Sequence, residues 1–311
     1  MKLELGGILA GERLAIARAL SAIENARNYP LEIMDALYPY VGRAYRVGIT
    51  GPPGAGKSTL TDGLITLWRR QGHKVGVISV DPTSPFTGGA ILGDRVRMSQ
   101  HASDQGVFIR SMASRGSLGG LALRAQDAAD VLDAAGWDLI VYETVGVGQV
   151  ELDVAEAADT TLVVLVPEAG DDIQAMKAGL LEVADILVLN KADRQGAERA
   201  FMQLQAALEL RPKRNGEWQP KLLRTSALKH EGLEELVKTI EEHRAFLEKN
   251  NLLQKRHQRR LRLKIEQLVG EKVLREFWTP NRRHLFQRLM QSLEKGEMTP
   301  RQMLQELLAE S

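Results

Sequence analysis

The sequence predicts an α/β fold: a mostly parallel central sheet flanked by helices, with helical extensions at both ends of the chain. Three observations carry this. Short apolar runs rich in Val and Ile (YRVGIT, KVGVISVD, VFIRSM, WDLIVYETV, TTLVVLVP, ILVLNKAD and KLLRTSAL) read as buried parallel strands. Amphipathic stretches separate these runs, as βα units require. Outside this span, apolar residues recur only at helical spacing.

The elements follow in order. Residues 1–44 form a helical preface, with Ile16, Leu20 and Ile23, then Ile33, Leu37 and Tyr40, divided by the breaker NYP. Residues 45–242 hold the alternating strands and helices. After Gly232 the strands stop, and residues 243–311 are assigned to a C-terminal helical arm. Its stripes are Leu261, Ile265 and Leu268, then Leu285, Leu289 and Leu293, then Met303 and Leu307. Thr299, Pro300 and Gln302 are a good N-cap, N1 and N3 set for the last helix. There is more apolar stripe here than one sheet face needs, which favours a dimerisation arm and a homodimer over the alternative of extra packing around the core.

Composition narrows the function. The 311 residues carry a net charge of +1, so no overall pull toward nucleic acid or an anionic membrane is expected. The chain has no cysteine, which excludes disulfides and thiolate metal sites and fits a cytoplasmic protein. No apolar run reaches the ~18 residues of a membrane span. The basic run KRHQRRLRLK, from Lys255 to Lys264, could be a nucleic-acid patch. Leu261 and Ile265 continue at helical spacing and no aromatics interleave, so a solvated helix face is expected instead.

Gly51, Gly56, Lys57 and Ser58 satisfy G-x-x-x-x-G-K-[ST] directly after YRVGIT and before the helix-like TLTDGLITLWRR. Glycines let backbone N–H groups turn inward around phosphates, Lys57 offsets β/γ charge, and the Ser58 hydroxyl can ligate Mg²⁺. The phosphate-binding span is therefore Gly51, Pro52, Pro53, Gly54, Ala55, Gly56, Lys57, Ser58 and Thr59. Asn190-Lys191-Ala192-Asp193 then names the base. The Asp193 carboxylate can accept from guanine N1–H and its 2-amino group, a donor pair that adenine lacks. Thr225-Ser226-Ala227 follows as the loop whose backbone N–H, with Ser226 and Ala227, approaches guanine O6. GTP and GDP are the expected nucleotides.

WDLIVYETVGVGQ places Glu143-Thr144-Val145-Gly146 where many GTPases have Asp-x-x-Gly. Glu143 can hold Mg²⁺ through water, and the Gly146 N–H can sense a γ-phosphate. Val147 stands where Ras-like proteins carry the glutamine that orients the attacking water, so slow intrinsic hydrolysis is expected. Gln149 is a candidate substitute, with loop packing as the alternative. In VDPTSPFTGGAILGDRVRM, Asp81 closes a strand, and Asp94, Arg95 and Arg97 could be brought over the phosphates by a first switch.

Taken together, GITGPPGAGKST, VDPTSPFTGGAILGDRVRM, ETVGVGQ, GDDIQAMKAG and NKAD resemble the MeaB/ArgK group of GTPases, which includes the human methylmalonic aciduria type A protein. The resemblance implies a P-loop GTPase fold and a dimeric GTPase chaperone. Such a chaperone protects an adenosylcobalamin-dependent methylmalonyl-CoA mutase or related acyl-CoA mutase and gates its cofactor loading. It also implies that Asp81, Asp94 and Glu143 join Lys57 and Ser58 in magnesium and switch chemistry, and that Asn190, Lys191 and Asp193 bind guanine. EAGDDIQAMK resembles the family's additional switch facing the mutase, with Asp171, Asp172, Gln174 and Lys177 as its polar residues. Val150 departs from the serine that relatives commonly carry after GVGQ.

Two rivals share the fold. A GTPase inserting nickel or cobalt would need metal ligands near its switches, but His73, His101, His230, His243, His257 and His284 are scattered. A kinase linked to amino-acid transport, suggested by the ArgK name, would not require the guanine signature.

Overall fold

Strand β1 (Tyr45–Thr50) is buried at every position, as a strand with elements packed on both faces must be. The structure is a computed structural model that describes residues 5–25, 31–82, 101, 103–114, 120–144, 150–167, 180–211 and 216–310. Beside β1 lie β2 (Val75–Pro82), β3 (Val107–Ser114), β4 (Leu139–Thr144), β5 (Thr160–Leu165), β6 (Ile186–Leu189) and β7 (Lys221–Arg224). They form one seven-stranded sheet in the order β3-β2-β4-β1-β5-β6-β7. Every pairing between these strands is parallel. Each predicted apolar run therefore contributes a strand.

Parallel neighbours need crossovers, and helices supply them: α4 (Lys57–Arg70), α5 (Gly120–Ala134), α6 (Val150–Ala157), α7 (Leu180–Val183) and α8 (Ala197–Glu209). The preface forms α1 (Leu5–Leu9), α2 (Arg13–Asn25) and α3 (Leu31–Leu37). After the last strand come α9 (Leu233–Lys249), α10 (Leu252–Phe277), α11 (Pro280–Glu294) and α12 (Pro300–Ala309).

Alternation along the strands divides the core in two. Val77, Val141 and Ile49 join Leu60, Leu64 and Trp68 of α4 and Leu236 and Ile240 of α9 on one face. Ile78, Ile140 and Tyr142 join Leu20 and Ile23 of the preface and Ala128 and Leu132 of α5 on the other. The preface is thus part of the main core. Its passage into β1 is fixed by Asp133, whose carboxylate accepts from the backbone N–H groups of Gly42, Arg43 and Ala44 at 2.7, 3.1 and 3.0 Å.

Residues up to Arg260 form one compact unit and those from Leu261 onward a second. Position 243, where the sequence placed the start of the arm, lies inside α9, and His243 is fully buried there. In the second unit the Thr299 hydroxyl accepts from the Gln302 N–H while the Gln302 side chain accepts from the Thr299 N–H, the reciprocal cap that the sequence predicts. Leu261, Ile265, Val269 and Val273 recur every fourth residue of α10 and are exposed.

Candidate nucleotide site

β1 ends at Thr50 and α4 begins at Lys57, so the glycine-rich loop spans the turn from strand to helix. Two of its glycines are required by sterics. Gly51 has φ of 137°, and a Cβ there would lie 2.1 Å from the Val164 carbonyl oxygen. Gly56 has φ of 85°, and a Cβ there would lie 2.5 Å from Asn190 Nδ2. The loop is therefore pressed against β5 on one side and the NKAD segment on the other. It opens onto the N-terminus of a 14-residue helix, whose free N–H groups attract anions. Pro52, Ala55, Lys57 and Ser58 are buried, Thr59 and Gly56 are half-buried, and Pro53 and Gly54 are exposed.

Lys57 Nζ donates to the carbonyls of Gly51 and Pro52 at 2.8 and 2.9 Å, which holds its charge within the loop. Ser58 Oγ donates to Glu143 Oε1 at 2.5 Å. This contact joins the first turn of α4 to the end of β4, because β4 is the hydrogen-bonded neighbour of β1. Thr144 Oγ1 donates to Thr50 Oγ1 at 3.2 Å in the adjacent layer. A buried hydroxyl and carboxylate at this position form an all-oxygen donor set, the chemistry that suits a hard divalent cation. Asp81 lies in β2, in register with Ala113 of β3.

The NKAD segment leaves β6 and folds back onto the glycine loop. Asn190 Nδ2 donates to the Ala55 carbonyl at 2.8 Å, and Lys191 Nζ to the Gly54 carbonyl at 2.8 Å. Asn190 Oδ1 in turn accepts from Thr225 Oγ1 and from the Ala227 N–H, both at 3.1 Å. That N–H, expected to approach guanine O6, is thus engaged with Asn190. Asp193 Oδ1 accepts from Ser226 Oγ at 2.8 Å, and Lys229 Nζ pairs with Oδ2 at 3.1 Å. The Ser226 hydroxyl first, and Lys229 after it, hold the Asp193 carboxyl below its ordinary range, so it stands as a charged acceptor at neutral pH. Lys229 had no signal in the sequence, since its relation to Asp193 depends on the turn Ala227–Lys229.

The structure thus brings together Lys57, Ser58, Glu143, Asn190, Lys191, Asp193, Ser226 and Ala227 at the C-terminal ends of the strands, where open α/β sheets place ligands. Asp94, Arg95, Arg97, Gly146, Val147, Gln149, Asp171, Asp172, Gln174 and Lys177 lie outside the described residues. Among the described residues no group of three or more His, Asp or Glu is arranged to hold a metal ion.

The opposite end of the sheet corrects the reading of KRHQRRLRLK as a solvated face. Arg260 is buried and bonds the Asp159 carboxylate. Arg256 forks onto both oxygens of Asp185 at 2.8 and 2.7 Å, and His257 Nε2 lies 3.3 Å from Asp159. Asp159 and Asp185 directly precede β5 and β6, and each carboxylate faces a backbone N–H near the start of the neighbouring strand, β1 for Asp159 and β5 for Asp185. Arg46 N–H donates to Asp159 at 2.9 Å and Thr161 N–H to Asp185 at 2.9 Å. Arg256, His257 and Arg260 therefore face inward, while Arg259 and Arg262 are exposed. No described helix is long and apolar enough to cross a membrane.

Comparison with known proteins agrees with this geometry. Residues 16–282 match the family model described as methylmalonyl-CoA mutase-associated GTPase MeaB. A Pyrococcus abyssi protein described as a candidate GTPase is 48% identical over 292 residues, covering 93% of this chain and 90% of that one. The GTPase ArgK of Escherichia coli K12 is 36% identical over 305 residues, covering 96% of this chain and 92% of that one. A crystal structure described as an LAO/AO transport system kinase superposes with a TM-score of 0.74 at 30% identity, covering 97% of this chain and 94% of that one. A phosphate loop closed on the NKAD segment, carried on a fully parallel sheet and matched by the family model over most of its length, places this chain in the MeaB family of P-loop GTPases.

Proposed function

We propose that this GTPase is a nucleotide-gated chaperone that protects an adenosylcobalamin-dependent methylmalonyl-CoA mutase or related acyl-CoA mutase and gates loading of its cofactor. The observation that carries the proposal is the match of residues 16–282 to a family described by its association with methylmalonyl-CoA mutase. Within it, Lys57 and the loop N–H groups bind the phosphates of GTP or GDP, and Asn190, Lys191 and Asp193 bind guanine. Ser58 and Glu143, with Asp81 and Asp94, would hold Mg²⁺, which when bound neutralises charge on the phosphates. Arg95, Arg97, Gly146 and Gln149 belong to the proposed switch loops, and Asp171, Asp172, Gln174 and Lys177 to a loop that signals to the mutase.

The exposed stripe Leu261, Ile265, Val269 and Val273 supports a homodimer formed through the C-terminal arm, since an unpartnered apolar stripe of this length favours association. A cytoplasmic location, without nucleic acid or membrane as partner, completes the proposal.

Steady-state phosphate release with and without the mutase tests it. Slow release from the isolated protein and clear stimulation by the mutase are expected, and Lys177→Ala should reduce stimulation more than intrinsic release. No change on adding a mutase that demonstrably binds would refute the coupling. The second reading, a kinase linked to amino-acid transport, draws on the description of the superposed structure. ATP consumption with labelling of a protein or small-molecule acceptor would favour it, and GTP consumption without labelling would dismiss it.

A further inference from the structure

Ser79 lies in the middle of β2, buried to 1% exposure, and its hydroxyl has no hydrogen-bond partner among the described residues. A strand interior offers apolar residues a better fit, and Val77, Ile78 and Val80 around it comply. A buried hydroxyl left unpaired destabilises the fold, so where one is found it calls for an explanation.

Its position supplies one. In the parallel pairing of β2 with β4, Ser79 stands in register with Glu143. Register partners in adjacent parallel strands point to the same face and stand one strand spacing apart, about 4.8 Å. Val77 and Val141, two residues earlier on each strand, both pack on the side covered by α4. Ser79 and Glu143 therefore face that side as well, and Glu143 Oε1 does accept from Ser58 at the start of α4. The unpartnered hydroxyl is thus the lateral neighbour of the carboxylate that meets Ser58.

We propose that Ser79 is a positioning residue of the magnesium–nucleotide site, supplying the hydrogen bond, direct or through one water, that orients Glu143 when the cation complex is bound. The proposal rests on the reading that Ser58 and Glu143 serve the cation. Groups that orient a metal-binding carboxylate strengthen cation binding although they do not touch the ion. The hydroxyl is then kept at a cost to stability, as residues that serve a site often are.

The test separates function from stability. Retention of a fluorescent GDP analogue is measured against magnesium concentration for wild type, Ser79→Ala and Ser79→Thr, together with urea unfolding in EDTA without nucleotide. Ser79→Ala should need about tenfold more magnesium for half-maximal retention. Its unfolding midpoint should match or exceed that of wild type, and its affinity for the analogue in EDTA should be unchanged. Ser79→Thr, which keeps the hydroxyl, should stay close to wild type in its magnesium dependence. An unchanged magnesium midpoint in Ser79→Ala would overturn the role of Ser79 alone, as would an equal loss of affinity in EDTA. Retention that is independent of magnesium in the wild type would overturn the magnesium reading and the Ser79 proposal together.

Discussion

The Asn190 side-chain amide donates to the Ala55 carbonyl at 2.8 Å, so the segment proposed to read the base is bonded directly to the phosphate loop. The two lie 135 positions apart in the chain, and this bond joins them beneath the place where one nucleotide would span both. The same amide oxygen takes Thr225 and Ala227, so Asn190 ties three loops with one buried side chain.

Asn190→Ala should therefore cost both stability and nucleotide binding. It leaves the Ala55 carbonyl and the Ala227 N–H without this partner, at about 1–3 kcal/mol for each group left unsatisfied. A lowered urea midpoint at unchanged slope, with a parallel fall in GDP affinity, is the expected result. Loss of affinity with no loss of stability would show that the side chain acts on the ligand alone.

Asp193→Asn should exchange guanine for xanthine preference, because an amide can donate to a 2-oxo group where the carboxylate accepts from a 2-amino group. Two charge-assisted hydrogen bonds are lost, each worth about 1.5–3 kcal/mol, so GTP should weaken by roughly a hundredfold or more. Competition calorimetry with xanthosine and guanosine diphosphates measures the exchange. In the wild type, Ser226 and then Lys229 hold the Asp193 carboxyl below its ordinary range. Guanine binding should accordingly persist through the pH range where an ordinary carboxylate protonates, and Lys229→Ala should move its acid loss to higher pH.

Gly51→Ala should be among the most damaging single changes. The added Cβ would meet the Val164 carbonyl oxygen at 2.1 Å, and the backbone at φ of 137° suits no L-residue with a side chain. Since Val164 belongs to β5, one residue past the Thr50–Val163 register with β1, relief requires separating β1 from β5 or moving the loop. Insoluble expression or a fall in melting temperature of several degrees is expected; an unchanged melting temperature would mean that the loop can be remodelled freely.

His243 gives the protein a pH dependence away from the nucleotide site. Its burial, only partly offset by Asp185, pushes its pKa down to about 4, while Thr160 Oγ1 lies 2.8 Å from Nδ1. An unfolded histidine protonates near 6.5, so between these values the unfolded chain binds the extra proton. The stability contribution is complete above about pH 6.5 and is lost as pH falls toward about 4, a difference of roughly 3 kcal/mol. Asp159 adds a second loss at lower pH: burial raises its pKa, but His257 and Arg260 outweigh burial and bring it to about 2. Its contribution is lost between the ordinary carboxylate range and about pH 2. Urea unfolding from pH 4 to 7 should show the first slope in the wild type and a flatter profile in His243→Gln.

Features with a local cause could be read from the chain alone. The phosphate loop is legible because its glycines, Lys57 and Ser58 are contiguous, and its strand–loop–helix setting follows from the same short stretch. The inner strands β2, β4, β1, β5 and β6 were legible because a strand buried on both faces must be largely apolar, whereas β7 at the edge, exposed at Lys221 and Arg224, signals itself only through Leu222 and Leu223. The cap at Thr299 was legible because both of its bonds close within three residues.

Features that depend on distant pairing became visible once the chain was folded. In KRHQRRLRLK, the sequence could not tell Arg260 and Arg256, which meet carboxylates 101 and 71 positions away, from Arg262, which faces solvent. Burying a guanidinium is tolerable only where a carboxylate is already waiting, and Asp159 and Asp185 reach that place only when β5 and β6 are laid side by side. Ser79 reads in sequence as one more small strand residue; the register of β2 against β4 sets it beside Glu143, and register is a property of two strands, not of either alone.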